Sequence, residues 1–153
     1  KCKLVMIGEG DAFVRLKLIS ESLESFELLH TMPQNDLAGR LGEFHIGLLP
    51  MPETKVWKIA SPLKRSEYMA SGLIIFGIDH DGHRMNEDDL PWMKLVPQHE
   101  FHTVGCDWLE SLDENKINDL SELSRTYAED HLSWEKSIDA LENCMLLHRR
   151  SSS

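Results

Sequence analysis

The chain has 153 residues, 41% of them hydrophobic and 27% charged, which is typical of a globular domain and unlike a disordered chain. Its formal net charge of −10 argues against a general nucleic-acid-binding protein, which needs a basic face. No apolar run approaches the roughly 18–20 residues of a membrane span, and three scattered cysteines argue against a disulfide framework. We therefore expect a cytoplasmic location and no nucleic-acid partner.

Short apolar runs and helical periodicity alternate along the chain. Apolar runs predict buried strands at residues 4–7, 46–49 and 73–76, and residues 26–29 are predicted to form a further short strand. Apolar residues at helical spacing predict helices over about residues 12–24, 34–44 and 62–71, one or two after residue 107, and a last one from residue 134. Two further short strand candidates are residues 94–96 and 102–104. The segments 50–60 and 79–91 lack periodicity and are predicted to be loops, the second at the surface.

This order of elements predicts an α/β fold, with a Rossmann-like parallel sheet and helices on both faces. Ligands bind such sheets outside the carboxyl ends of the strands. The functional loops are therefore expected at residues 8–11, 30–33, 50–61 and 77–91.

The stretch SPLKRSEYMASG, residues 61–72, begins like a helix but carries its charges at an unfavourable end. Ser61 is a candidate N-cap and Pro62 a candidate first helical residue. Lys64 and Arg65 lie in the first turn, where the helix dipole favours anions. Unpaired backbone amides together with two cations predict a site for a phosphate or a diphosphate.

Glu67 lies one helical turn after these cations. If the face that carries Leu63 and Ala70 is buried, Glu67 lies near the core and needs hydrogen-bond donors. The two hydroxyls of a ribose would supply them, and a phosphate followed by a ribose describes a nucleotide. The alternative is that Lys64 and Arg65 are solvated and that Glu67 pairs with Lys64 at i, i+3 spacing.

Residues 62–72, followed by the strand LIIFGID, resemble the signature of the C-terminal domain of GT-B glycosyltransferases, especially retaining family 4 (glycosyl transferases group 1). Three further segments are similar to the family's pattern and follow its order along the chain. They are the strand ending in Gly-x-Gly at residues 7–10, FHIGLLP at residues 44–50, and the late Ser133-Trp134.

The resemblance implies the C-terminal half of a GT-B architecture over residues 1–148, with a disordered tail at 149–153. It implies an enzyme that transfers a hexosyl or related sugar from a nucleotide-diphosphate sugar to an acceptor, without a metal or other cofactor. By position, Glu67 matches the glutamate that binds the donor's ribose hydroxyls, and Leu63 and Lys64 match residues that meet the diphosphate. The resemblance assigns no catalytic residue. Further candidates in donor-site loops are Gly8, Gly10 and Glu53.

Two departures from the family pattern affect this interpretation. Ile59 stands eight residues before Glu67, where the family often has a glutamate. The family's phosphate-binding arginine and lysine lie on an earlier strand–helix unit, which this chain lacks along with the acceptor domain.

We therefore expect a fragment that is inactive by itself. Its expected partners are a nucleotide-sugar and an N-terminal acceptor-binding domain of the same polypeptide, and the full enzyme is expected at a membrane surface. The alternative is a non-catalytic nucleotide-sugar-binding or assembly domain.

Two histidine pairs offer a different chemistry. His80 with His83, and His99 with His102, have carboxylates nearby and are candidate zinc ligands. The competing interpretation is that polar loops collect histidines without any metal.

Overall fold

The computed structural model describes residues 2–60, 63–85 and 90–151. The chain forms two compact units, Lys1–Gly39 and Arg40–Ser153, which we describe separately. Both contain parallel strands flanked by helices, so the predicted Rossmann-like α/β fold class is confirmed. The strands are divided between a two-stranded and a three-stranded sheet.

The first unit contains a two-stranded parallel sheet. Strands β1 (Leu4–Ile7) and β2 (Phe26–Leu29) pair with Leu4 opposite Phe26, and helix α1 (Phe13–Ser22) connects them. The bounds of both strands match the prediction. The buried character predicted for β1 is wrong, because its residues alternate between exposed and half-buried. Two strands and one helix cover little surface, and of residues 2–39 only Phe26 is buried.

The second unit contains a three-stranded parallel sheet. Strands β3 (Ile46–Leu49), β4 (Ile74–Ile78) and β5 (Met93–Val96) lie in the order β3-β4-β5. All five residues of the central strand β4 are buried, as expected for a strand that has neighbours on both sides. These strands confirm the predictions at residues 46–49, 73–76 and 94–96.

In the described residues, six α-helices follow α1. They are α2 (Gln34–Leu41), α3 (Lys55–Ile59), α4 (Leu63–Ala70), α5 (Phe101–Glu110), α6 (Glu114–His131) and α7 (Trp134–Ser151). Helix α6 is attached to the start of β4, because the Ser124 hydroxyl donates to the carbonyl oxygen of Leu73 over 2.8 Å. Within the described ranges, no helix combines the length and the hydropathy needed to cross a bilayer.

Three predictions about local structure are wrong. Residues 55–59 form helix α3 in a segment predicted to be a loop, because five residues are too few to show a helical period. Residues 102–104 belong to helix α5, whose Phe101, Gly105 and Trp108 pack around Phe76 at helical spacing. In the loop predicted to lie at the surface, His80, Gly82 and His83 are buried.

Other predictions fall partly outside the described residues. The candidate cap Ser61, Pro62 and residues 86–89 lie outside them. Helix α7 extends to Ser151 and so includes residues 149–151 of the predicted tail.

The packing of α4 on β3 can be tested at Gly47 of β3. A Cβ atom on Gly47 would overlap the ring of Tyr68 from α4. We expect Gly47→Ala to lower the free energy of unfolding by about 1–3 kcal/mol, the usual cost of overpacking. Urea unfolding at constant m-value measures this change.

Gly39→Ala is the matched control, because a Cβ at Gly39 in α2 meets no atom within 4 Å. It should be neutral or stabilise the protein by up to about 1 kcal/mol. Equal effects of the two substitutions would contradict the packing of α4 on β3.

Candidate ligand site on helix α4

Helix α4 lies in the connection between the parallel strands β3 and β4. A helix in such a crossover runs antiparallel to the strands, so its first residues lie at the edge where β3 ends. Ligands bind parallel sheets at that edge. Leu63 and Lys64, predicted to meet a diphosphate, are the first two described residues of this helix.

The buried face of α4 differs from the expected one. Met69 is fully buried, and Tyr68 packs against Gly47 of β3. Leu63 is 76% exposed and Glu67 is exposed as well. The condition under which Glu67 would lie near the core, a buried face carrying Leu63 and Ala70, is therefore not met. The pKa of the neighbouring Tyr68 is raised mainly by burial and, to a smaller extent, by the negative charge of Glu67.

Lys64 and Glu67 are unpaired within the described part of the chain. Both side chains are exposed, and neither forms an ion pair or a side-chain hydrogen bond with any residue in 2–60, 63–85 or 90–151. The alternative of a Lys64–Glu67 ion pair is therefore not observed. A cation and a carboxylate one helical turn apart are available to a ligand.

A cavity of about 350 Å³ lies beside Glu67. Glu67 and Ala70 of α4 border it together with Arg125 and Glu129 of α6 and Ser133. Arg125 joins the two helices, since its Nη1 donates to the carbonyl oxygen of Ala70 over 3.1 Å and its Nε to Glu129 Oε1 over 2.8 Å. The volume is within the usual range for small-ligand sites, about 300–1,000 Å³.

Arg65 points away from Lys64 and Glu67 and stabilises the fold. Its Nη1 donates to the carbonyl oxygens of Arg84 (2.6 Å) and His83 (2.9 Å), with Gly82 more distant at 3.4 Å. Burial lowers the pKa of Arg65. The first-turn cation that suggested an anion site is thus bound through Nη1 by backbone carbonyls of the β4–β5 connection, while its buried Nε has no hydrogen-bond partner among the described residues.

His80 and His83 form a buried pair in the same connection. Their side chains are 2% and 1% exposed, and the ring centroids are 3.8 Å apart. Gly82 lies between them, and a Cβ there would overlap the carbonyl oxygens of Trp57 and Ala60. The only sequence signal for this packing was the His-x-x-His spacing around a glycine.

The metal interpretation of the two histidine pairs gains no support. Among residues 2–60, 63–85 and 90–151, no three His, Cys, Asp or Glu side chains lie close enough to hold a metal ion. His99 and His102 are exposed, and His99 Nε2 lies 3.4 Å from Glu100.

The remaining candidates lie away from α4 along the chain. Glu53 is exposed and its Oε1 lies 2.7 Å from Lys58 Nζ, a hydrogen bond that lowers the pKa of Glu53. Ile59, the last residue of α3, is 82% exposed. Gly8 and Gly10 lie in the first unit, where φ angles of 152° and 151° form the turn after β1 beside a cavity of about 70 Å³.

The chain matches no protein-family model and no curated protein sequence.

Arg65 and Lys64 allow a direct test of their different roles. We expect Arg65→Met to lower the free energy of unfolding by about 2–4 kcal/mol, because it removes charge-assisted hydrogen bonds and leaves carbonyls unpaired. Lys64→Met, the exposed neighbour, should change it by less than about 0.5 kcal/mol. Urea unfolding of both variants measures the difference, and an equal effect would refute the assignment of Arg65 to the fold.

Proposed function

We propose that this chain binds a nucleotide-diphosphate sugar and supplies the donor-binding half of a glycosyltransferase. The observation that carries the proposal is the exposed and unpaired state of Lys64 and Glu67 on α4 within the described residues. The diphosphate would accept hydrogen bonds from the first backbone amides of α4 and from Lys64. The ribose hydroxyls would donate to Glu67.

The spacing of these groups suits one nucleotide. With a rise of about 1.5 Å per residue, Lys64 and Glu67 are separated by about 4.5 Å along the helix axis. Adjacent phosphate and ribose groups span a separation of this size. The cavity beside Glu67 provides space for the part of the ligand beyond the ribose.

The proposed chemistry is sugar transfer with a nucleoside diphosphate as leaving group. Its negative charge increases as the bond to the sugar breaks, and preorganised amides with Lys64 would stabilise that charge. The acceptor would bind to an N-terminal domain of the same polypeptide. We place the full enzyme in the cytoplasm, at a membrane surface. The exposed thiols of Cys2, Cys106 and Cys144 are compatible with a reducing compartment.

A second candidate is a non-catalytic domain that binds a nucleotide-sugar or serves in assembly. The exposed Ile59 favours it, because an apolar side chain cannot hydrogen-bond the sugar as a glutamate would. Glu53, the nearest carboxylate before Ile59 in the sequence, is occupied by Lys58.

Calorimetric titration of the chain with UDP, GDP and ADP tests the proposed site. We expect one of the three to bind, and Glu67→Ala to weaken it about 10- to 100-fold through the loss of hydrogen bonds to a carboxylate. Glu67→Gln should bind with intermediate affinity. Glu122→Ala, an exposed glutamate on α6, is the matched control and should bind like the unmodified chain.

Two results would contradict the site. One is that none of the three nucleotides binds, and the other is that Glu67→Ala binds as tightly as the unmodified chain. An assay of sugar transfer distinguishes the two candidate functions. It uses the longest natural polypeptide that contains this chain. Nucleotide-sugar binding without transfer to any member of a broad acceptor panel would favour the non-catalytic domain.

A further inference from the structure

Three segments of the second unit meet at one polar cluster, which we call the Arg65–histidine junction and which consists of the half-buried Arg65 and the buried His80 and His83. Arg65 belongs to the first turns of α4. His80 Nε2 lies 3.2 Å from the carbonyl oxygen of Met51, just after β3. His83 Nδ1 lies 2.6 Å from the carbonyl oxygen of Ile78, the last residue of β4. The junction therefore ties α4 to the ends of two neighbouring strands.

Geometry assigns the protons of the two rings. A carbonyl oxygen only accepts hydrogen bonds, so Nε2 of His80 and Nδ1 of His83 each carry a hydrogen. The opposite atoms, Nδ1 of His80 and Nε2 of His83, are buried and have no hydrogen-bond partner among the described residues. In neutral imidazoles these atoms are bare lone pairs, so the junction fits two neutral rings.

A further proton would be costly at either ring. It would create a buried N–H group that has no acceptor among the described residues, at a cost of about 1–3 kcal/mol or more for a charged group. It would also put a second cation beside Arg65, whose Nη1 lies 2.9 Å from the carbonyl oxygen of His83. The centroid distance of 3.8 Å excludes two charged rings in this arrangement.

The carboxylates around the junction offset this cost only in part, because each is paired with a cation. The nearest carboxylate in sequence, Asp79, has both oxygens bound by Arg84 over 2.7 and 2.9 Å. Asp81 also pairs with Arg84, over 3.0 Å. From the segment after β3, Glu53 pairs with Lys58 over 2.7 Å. Glu53 thus has its own cation in Lys58, whereas Asp79 and Asp81 share the single positive charge of Arg84.

The pKa of His83 reflects the same balance. Burial lowers it most, while the backbone hydrogen bond to Ile78 opposes this effect. His80 and Arg65 lower the pKa further, and Asp79 raises it.

We propose that the Arg65–histidine junction is a proton-sensitive latch that holds the first turns of α4 in place. With neutral rings, Arg65 stays bound to the carbonyls of residues 82–84. A proton on His80 or His83 opens the pair, displaces those carbonyls and frees Arg65 and the start of α4. Through the proposed nucleotide site on α4, on which this part of the inference rests, opening also weakens ligand binding.

The direction of the pH effect follows from linkage. A histidine whose pKa is lowered by folding binds its proton more readily in the open or unfolded chain. The closed junction is therefore fully stable above the ordinary histidine pKa of about 6.5 and loses stability as the pH falls below it.

Amide hydrogen exchange without nucleotide tests the latch. We compare the chain at about pH 7.5 and about pH 5.5, one unit either side of the ordinary histidine pKa, after correction for intrinsic exchange rates. Protection of residues 63–70 should fall roughly tenfold at the lower pH, while β4 stays protected. Unchanged protection of residues 63–70 overturns the proposal.

The variant His80→Gln/His83→Asn keeps a neutral donor at each position. The glutamine amide replaces Nε2 of His80 and the asparagine amide replaces Nδ1 of His83. Its protection should be the same at both pH values. The exposed pair His99→Gln/His102→Asn is the matched control and should keep the pH effect of the unmodified chain.

Two further measurements complete the test. In the unmodified chain, NMR titration should show His83 protonating below the ordinary histidine pKa of about 6.5, and titration at or above that value overturns the latch even if the double variant fails to fold. Nucleotide affinity at the two pH values then tests the link to the site. If residues 63–70 lose protection at the lower pH but no nucleotide binds at either pH, the proposed function is contradicted and the latch is still supported.

Discussion

Hydrogen bonds from Arg65 to the carbonyl oxygens of residues 82–84 tie helix α4 to the β4–β5 connection. These bonds turn Arg65 inward on the side of α4 that buries Met69. Lys64 and Glu67 then remain outside, at positions where a ligand reaches them. The same guanidinium also binds the carbonyl oxygen of His83 in the buried histidine pair, the contact on which the proposed latch rests.

This arrangement gives different roles to the two cations at the start of α4, Lys64 and Arg65. They looked equivalent in the sequence, and both suggested an anion. In the structure, Arg65 binds partial negative charges of the protein's own backbone, whereas Lys64 stays exposed. Only one cation therefore supports the nucleotide proposal. Glu67 supports it through access alone, because its exposed carboxylate can be reached by ribose hydroxyls but is not buried in need of donors.

Sequence reasoning located elements well where the local pattern is strong. The bounds of β2 and β3 were predicted correctly. Strand β3 is a continuous apolar run that ends before Pro50, whereas β2 is a short segment of three apolar residues and Glu27. The face of α4 was predicted wrongly, because eight residues of mixed polarity present two competing apolar faces. The burial of His80 depends on the carbonyl of Met51, 29 residues earlier, and no local pattern encodes that contact. Arg65 was misjudged for the same reason, since its partners follow 17 to 19 residues later.

The central claim is that the start of α4 binds the diphosphate and ribose of a nucleotide. The most direct measurement is NMR mapping of backbone amide shifts as UDP, GDP or ADP is added to the labelled chain. The account predicts the largest shifts at Leu63, Lys64 and Glu67, with smaller ones around the cavity bordered by Arg125 and Ser133. Saturable shifts confined to other parts of the chain, with residues 63–67 unaffected, would contradict it.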